Sequence, residues 1–596
     1  MYRAPVDEIS HALKHVAGLN KAIEDGRFED LSEDLVDAIL TEAGRFASDE
    51  IAPLDEGGDT NGARLENGAV TTAPGWQKLY KDWTEGGWNA LTGPSEFGGQ
   101  DLPIMMSVAA FEMWNSGSLG FAIGPTLTVG AVEAIEKHAD AALKAIYLEK
   151  MVSGEWTGTM NLTEPQAGSD LGALKTRAEP VGDGSYRIFG QKIFITYGEH
   201  DLTDNIVHLV LARLPDAPAG TRGISLFLVP KFLVNDDGSL GARNDLQCVG
   251  LEHKLGIHAS PTCTMVYGDG SFGDTPGAIG WLVGEENKGL ACMFTMMNNA
   301  RLHVGIQGVS AAEAAYQKAL EYARERTQGR APGHKGEGMS PIIEHPDVQR
   351  MLLTMKALTG AARAICYACA HAIDMSHASE GEAAGTWSER AGILTPIAKA
   401  FSTDIGVEVA SLGVQCHGGM GFIEETGAAR YFRDSRIAPI YEGTNGIQAI
   451  DLVTRKLPLS DGGAVAALIA EYRDDAEAVR ASNRDGLEGV AERLDAALDN
   501  LEATTGWLTE ALQEGRKAEA LAGATPYLRL FGLVAGGAYL ARGAIVGGDG
   551  DDAAAATRAA LARFAATNLL PETASLRATV TGGSDTVAAA ASAVFG

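Results

Sequence analysis

Positive charge is what this chain has least of. Against 78 Asp and Glu stand 48 Lys and Arg, a net charge of −30 over 596 residues. Nucleic acids and anionic membrane surfaces both require a basic footprint, so neither is expected as a partner. A small anionic ligand stays open, because a local cluster of Arg, Lys or backbone N–H groups suffices to hold one. Cysteine is scarce too. Cys248, Cys263, Cys292, Cys366, Cys369 and Cys416 are scattered and do not form a disulfide framework. Cys366 and Cys369 make a C-x-x-C inside an Ala-rich helical run with no second pair at zinc-ribbon spacing, so small core residues are expected there and no metal. No Walker A or dinucleotide-binding glycine motif stands between a strand and a helix, which leaves ATP and nicotinamide without a site. The stretch from Met1 to Glu8 has no apolar signal core. The most apolar run, 530–546, contains Arg542, follows Arg529 and falls short of the ~20 apolar residues of a membrane span. A cytoplasmic protein without stable membrane insertion is the expectation.

What is present falls into five stretches by hydrophobic periodicity. Residues 1–38 read as a helical arm, with Ile9, Leu13, Val16 and Leu19 at helical spacing, and 39–157 as a helical domain. Ser32, followed by Glu33 and Asp34, starts a helix whose apolar face reads as Leu31, Leu35, Ala38, Ile39, Ala43 and Phe46. Residues 55–68 are rich in Gly and Asp and read as loop. Residues 158–283 carry β-rich runs such as 205–213, 224–229 and 262–267, bounded by Gly, Pro and Asp with no long helix between them. A small antiparallel sheet or barrel follows from that. Helix returns over 284–458, with a Gly/Pro-rich break at 330–344, and an Ala-rich helical extension occupies 459–596. The fold class is α+β: an N-terminal helical domain, a middle β-barrel-like domain, a C-terminal helical bundle and an extra C-terminal helical domain.

The stretch Arg433 to Gln448 draws the eye to one carboxylate. Glu442 stands between Tyr441, which can shield it from water, and Gly443, which adds no side chain. A carboxylate in a dry pocket becomes a stronger base, which removing a proton from carbon requires. A solvated loop Glu is the competing and commoner fate. Upstream, Met160 to Asp170 offers the hydroxyls of Thr163 and Ser169 in a turn shaped by Pro165 and Gly168, a surface suited to anionic or carbonyl oxygens.

Taken together, Thr163-Glu164-Pro165, Gly168-Ser169-Asp170, Gly190-Gln191-Lys192 with Phe194-Ile195-Thr196, Arg301, the run Gln415 to Phe422, and Tyr441-Glu442-Gly443-Thr444 resemble the acyl-CoA dehydrogenases. The motifs stand in the family's order, across about residues 40–457, and the arm and tail are similar to its longer bacterial branch. The resemblance implies an FAD enzyme that oxidises a saturated acyl-CoA to its trans-2-enoyl-CoA. It makes Glu442 the base for the α-proton and flavin N5 the acceptor of the β-hydride. The thioester carbonyl is then held by the Glu442 N–H and a ribityl hydroxyl of FAD. Thr163 and Thr196 match positions at the flavin ring edge, Ser169 one near the pyrophosphate, and Thr444 one at the adenosine end. Phe194 stands where the family often has Trp. Arg326, Gln415 and Gly419 match residues that reach FAD across a subunit boundary, which implies a homodimer or homotetramer. Around Arg326 the chain is one residue shorter than the family's Arg-x-Thr-Phe-Gly.

On the substrate side the candidates are Ser169, Met297, Asn298, Arg301, Tyr441 and Gly443. Arg301 reads equally as a structural ion pair, and Met293, Met296 and Met297 as core filler before a pocket lining. His417 reads as a satisfied polar residue, and Gly418-Gly419 as a plain turn. Electron-transfer flavoprotein is the expected acceptor. An acyl-CoA oxidase on the same framework, and a general short- or medium-chain dehydrogenase of β-oxidation, are the alternatives. A catalytically idle relative that binds nucleic acid should carry a basic tail, and this tail is acidic.

Overall fold

The computed structural model describes residues 1–28, 30–546 and 553–596, leaving the Asn298 side chain outside the described residues. After two short helices of the N-terminal arm, Val6–His11 and Leu19–Glu24, come α1 (Glu33–Phe46), α2 (Ala52–Asn61), α3 (Trp76–Glu85), α4 (Ile104–Gly117), α5 (Leu119–His138) and α6 (Ala141–Ser153). Strands β1 (Trp156–Asn161), β2 (Arg177–Pro180), β3 (Ser185–Thr196), β4 (Asn205–Ala212), β5 (Ser225–Pro230), β6 (Leu246–Leu251), β7 (Thr262–Tyr267) and β8 (Ala278–Val283) follow. Then come α7 (Gly289–Glu325), α8 (Pro346–His377), α9 (Gly381–His417), α10 (Ala428–Ser435) and α11 (Asn445–Asp451). The extension adds α12 (Gly463–Ser482), α13 (Val490–Gln513), α14 (Ala524–Ile545), α15 (Ala553–Asn568) and α16 (Glu572–Phe595). Contacts sort the chain into two compact units, Phe46–Pro103 with Gly117–Ala300, and Met1–Arg45 with Ile104–Ser116 and Arg301–Gly596.

In the first unit the sheet runs β6-β7-β3-β8-β5-β4-β1, with β2 also on β3. Both faces of its centre are buried, and the period of two assigns each side chain to one of two cores. Val207, Leu209 and Leu211 of β4 and Leu226 and Leu228 of β5 join α5, α6 and the start of α7 in one cluster. Val210, Ala212, Phe227 and Val229 join Ile188, Ile195 and Met265 in the other. That is why β4 and β5 read as continuous apolar runs. The sheet is antiparallel as expected except for one pair, β1 on β4, which is parallel.

Three local expectations are corrected. Residues 52–61 are helical, so the Gly- and Asp-rich stretch forms a turn only after Asn61. There Gly58 lies against the Trp76 ring and Ala259, where a side chain would clash. The buried stripe of α1 is Val36, Leu40 and Ala43, while Leu35 is 39% exposed. Two apolar stripes one residue apart both fit a helical period, and packing chooses between them. Ser32 does cap the helix, accepting from Leu35 N at 3.2 Å.

The third correction concerns length. The apolar tail helix α14 has 22 residues and, like α5, is long and apolar enough to cross a membrane by composition. Of its most apolar window, 78% is buried within the protein, and for α5 the share is 89%. Small residues explain the burial of α14. A Cβ on Gly532 would land in the Phe401 ring of α9, and one on Gly536 in Ala361 of α8. Arg542 and Arg529 are half-buried and pair with Glu471 and Asp475, and with Glu408 and Glu572. We predict that Gly536→Leu, which overpacks this contact, lowers stability by about 1–3 kcal/mol and makes the extension cleavable in limited proteolysis.

Candidate active site

In the first unit, the turn after β1 and the end of β3 are joined by a buried ion pair. Lys192 Nζ lies 2.8 Å from Glu164 Oε1, with the two side chains 0% and 3% exposed, and also donates to Leu162 O at 3.0 Å. Glu164 accepts further from Lys175 N at 2.7 Å, Thr176 N at 3.0 Å and Thr176 Oγ1 at 2.6 Å. Burial alone would push this carboxyl up, but Lys192 and these donors hold it down at about 2. The carboxylate is therefore ionised and fully hydrogen-bonded, as a buried charge must be.

This clamp presents Thr163 and Phe194. Ile193 N donates to Thr163 O at 2.9 Å, and Thr159 Oγ1 to Thr196 O at 2.7 Å. Phe194 takes φ +60° in the left-handed region and its side chain is 58% exposed. A bulky residue in that region, with an aromatic ring turned to solvent, is a strained feature of the kind found at ligand sites. Among the described residues the hydroxyls of Thr163 and Thr196 find no protein partner. An exposed aromatic wall with two unsatisfied hydroxyls fits the edge and face of a flavin ring. Ser169 is exposed beside Asp170, which caps the next turn through Gly172 N at 2.9 Å. Met293, Met296 and Met297 lie in the core with α5 and β1.

In the second unit, Glu442 has φ +54° and Gly443 φ +82°. The left-handed backbone at Gly443 strains any residue with a side chain, and a Cβ there would also displace Gln448 Nε2, 2.6 Å away. The Tyr441 hydroxyl donates to Gln307 Oε1 on α7, which fixes the ring next to Glu442. Burial raises the Glu442 carboxyl above the usual carboxylate range, with Arg301 and Lys399 opposing. No protein donor reaches the carboxylate among the described residues, and no protein acceptor takes the Glu442 N–H. Arg301 is half-buried with its Nε unpartnered and Nη2 3.9 Å from a Gly443 Cβ position. Thr444 Oγ1 caps α11, accepting from Ile447 N at 3.3 Å.

Arg326, Gln415 and Gly419 gather elsewhere in this unit. The Tyr322 and His417 rings stack at 4.4 Å, which brings together the C-terminal ends of α7 and α9. Gln415 is exposed, and Gly418 and Gly419 face open space. From Lys399 to Gln415 the helix rises about 24 Å, so within one chain these residues stand apart from the Glu442 loop. His417 itself is buried, with Nδ1 2.7 Å from Gly413 O and its pKa lowered by burial. Sequence reasoning missed the Glu164–Lys192 pairing, Gln307, Lys399 and Asn445. The available signal was a lone Lys inside an apolar strand and another inside an Ala-rich helix.

Four family models match in succession: "Acyl-CoA dehydrogenase, N-terminal domain" over residues 34–155, the middle domain over 159–269, the C-terminal domain over 287–458, and "Acetyl-CoA dehydrogenase C-terminal like" over 465–591. The 3-methylmercaptopropionyl-CoA dehydrogenase of Ruegeria pomeroyi is 47% identical over 91% of each chain. Caenorhabditis elegans ACDH-11, solved with C11-CoA, superposes with a TM-score of 0.77 at 19% identity, covering 100% of this chain and 95% of its own. An acyl-CoA dehydrogenase of Bacillus anthracis, solved with FAD, has a TM-score of 0.73 at 22% identity, covering 93% and 89%.

Replacing Lys192 by Met leaves Glu164 buried without its cation. We predict a stability loss of about 3–5 kcal/mol in denaturant unfolding, part of which Glu164→Gln added to Lys192→Met restores, because the pair is coupled.

Proposed function

Since the chain belongs to the acyl-CoA dehydrogenase family and carries out FAD-dependent dehydrogenation of an acyl-CoA, we propose that Glu442 is the base that removes the α-proton. The observation that carries this is a desolvated carboxylate with no hydrogen-bond donor of its own, held at φ +54° next to its own unpartnered N–H. Such a carboxylate has no competing partner to give up before it accepts a proton from carbon. The adjacent N–H is a ready donor to the thioester carbonyl, where negative charge develops as the proton leaves. Bound FAD supplies the acceptor for the hydride that departs from the β-carbon. Thr163, Phe194 and Thr196 hold its ring end and Ser169 its pyrophosphate. The Thr444 hydroxyl already caps α11, so its contact with the adenosine end adds to that role.

The relative from Ruegeria supports 3-methylmercaptopropionyl-CoA, an intermediate of dimethylsulfoniopropionate catabolism, as the substrate. Arg301, Tyr441 and Gly443 line its approach to Glu442. The exposed cluster of Arg326, Gln415 and Gly419 supports an oligomer in which one chain completes the flavin site of another, a homodimer or homotetramer. Electron-transfer flavoprotein is the acceptor in this reading, and the cytoplasm the compartment, where the six free cysteines stay reduced.

Glu442→Gln keeps flavin and acyl-CoA binding but drops turnover by on the order of 10²–10⁴ in a dye-reduction assay. Activity near that of the parent removes Glu442 from the mechanism. Across an acyl-CoA panel, kcat/KM peaks at 3-methylmercaptopropionyl-CoA. A peak at an unbranched short or medium chain favours the β-oxidation alternative, and oxygen uptake matching dye reduction favours the oxidase. Arg326→Ala lowers flavin content and apparent size together. Unchanged values on a sizing column separate Arg326 from the cofactor.

A further inference from the structure

The Glu442 loop is closed at its neck. Asn445 N donates to Pro439 O at 3.0 Å, so the loop begins and ends at one point. From there the Asn445 side chain grips α9. Its Nδ2 lies 2.7 Å from Asp404 Oδ1, 3.0 Å from Thr403 Oγ1 and 3.1 Å from Ala400 O. Its Oδ1 accepts from Lys399 Nζ at 2.8 Å. Residues 399, 400, 403 and 404 share one face of the helix, as their spacing requires.

Lys399 is the unusual member. Its side chain is fully buried, and among the described residues no carboxylate lies within ion-pair distance. Its hydrogen bond goes to a neutral amide. A buried ammonium with no salt bridge is costly and is not explained by packing. The charged groups that face it are Glu442 on the loop, Asp404 on its own helix and Arg301 on α7. Glu442 in turn faces Arg301, Lys399 and the Tyr441 hydroxyl. Arg301 has a second anion in Asp451, which already pairs with Arg455. Asp404 also feels Arg529 and Arg436.

We propose that Lys399 and Asn445 form a positioning pair that fixes the Glu442 loop on α9 and favours the ionised form of the base. This rests on the reading of Glu442 as the base. Asn445 supplies the geometry, through hydrogen bonds to four residues of α9 that tie the neck of the loop to the helix. Lys399 supplies charge without a hydrogen bond to the carboxylate, so it lowers the energy of the ionised base without occupying the lone pair that must receive the proton. Burial brings the ammonium down to about 7, with Glu442 and Asp404 opposing. The sign follows. Below about 7 the cation is present and pulls the Glu442 pKa down; as pH rises past that point the ammonium loses its proton and the help fades. Catalysis thus begins at a lower pH than burial of Glu442 alone would permit.

The test compares Lys399→Met, Asn445→Ala and Glu442→Gln with the parent holoenzyme, reading flavin absorbance, kcat, KM and the pH profile of kcat/KM. Lys399→Met should keep its flavin and move the ascending limb upward by roughly 1 unit, since a cation near the base is gone. Asn445→Ala should lower kcat at least tenfold at every pH with KM and flavin content little changed. A merely structural role for Lys399 would not move the limb. A profile for Lys399→Met that superimposes on the parent's, or full turnover by Asn445→Ala, overturns the proposal. If Lys399→Met does not fold, Asn445→Ala decides alone, on retained kcat against its tenfold loss. Should Glu442→Gln remain active, the assignment of the base fails, and that outcome is distinct from failure of the pair.

Discussion

A carboxylate kept away from hydrogen-bond donors is the constraint on which this protein turns. Glu442 sits in a left-handed backbone conformation that costs about 1–2 kcal/mol for a residue with a side chain, and its burial raises its pKa. Neither penalty is relieved at the residue itself. Both are offset around it. Gly443 continues the left-handed turn, the Tyr441 hydroxyl is held by Gln307, and Asn445 ties the neck to α9. Each such hydrogen bond contributes about 1 kcal/mol net, so several together match the strain. The long helices of this unit serve as the rigid frame from which these side chains reach the loop.

The same device recurs in the β unit. Phe194 also adopts a positive φ, and a buried network directly behind it, Glu164 with Lys192, Thr176 and the backbone, locks the turn and strand that meet there. In both places a residue with positive φ is held by a polar cluster on the adjoining backbone, Phe194 with its ring turned to solvent and Glu442 with its carboxylate desolvated. The two clusters differ in one respect that chemistry explains. Glu164 is held by Lys192 and a set of hydrogen-bond donors, so its pKa falls; Glu442 has burial without such donors, so its pKa rises.

The C-terminal extension is more than an appendage on the helical unit. Its central helix α14 meets α9 through Gly532 and Phe401 and α8 through Gly536 and Ala361. Phe401 lies within the turn of α9 that receives Asn445, so the extension packs on the same turn that holds the Glu442 loop. The apolar character of α14, which by length and composition would suit a membrane, is spent on this close helix packing.

Several features were fixed locally and could be read from order along the chain. The succession of helix, sheet, helix and added helix follows from periodicity, and the Ser32 cap from its hydroxyl. The motifs around Thr163, Phe194 and Glu442 identify the family because residue type and spacing within short segments carry that information. Other features depend on which surfaces meet. Leu35 and Val36 are equally apolar in sequence, and only the packing of α1 buries one and exposes the other. The pairing of Glu164 with Lys192, and the reach of Asn445 across to Lys399, join residues 28 and 46 positions apart. Periodicity describes a residue's neighbours on its own element, whereas electrostatic burial is set by neighbours on other elements. For that reason the sequence by itself determined the fold and singled out Glu442 as a candidate, and only the tertiary structure decided which groups surround that carboxylate and leave it without a hydrogen-bond donor.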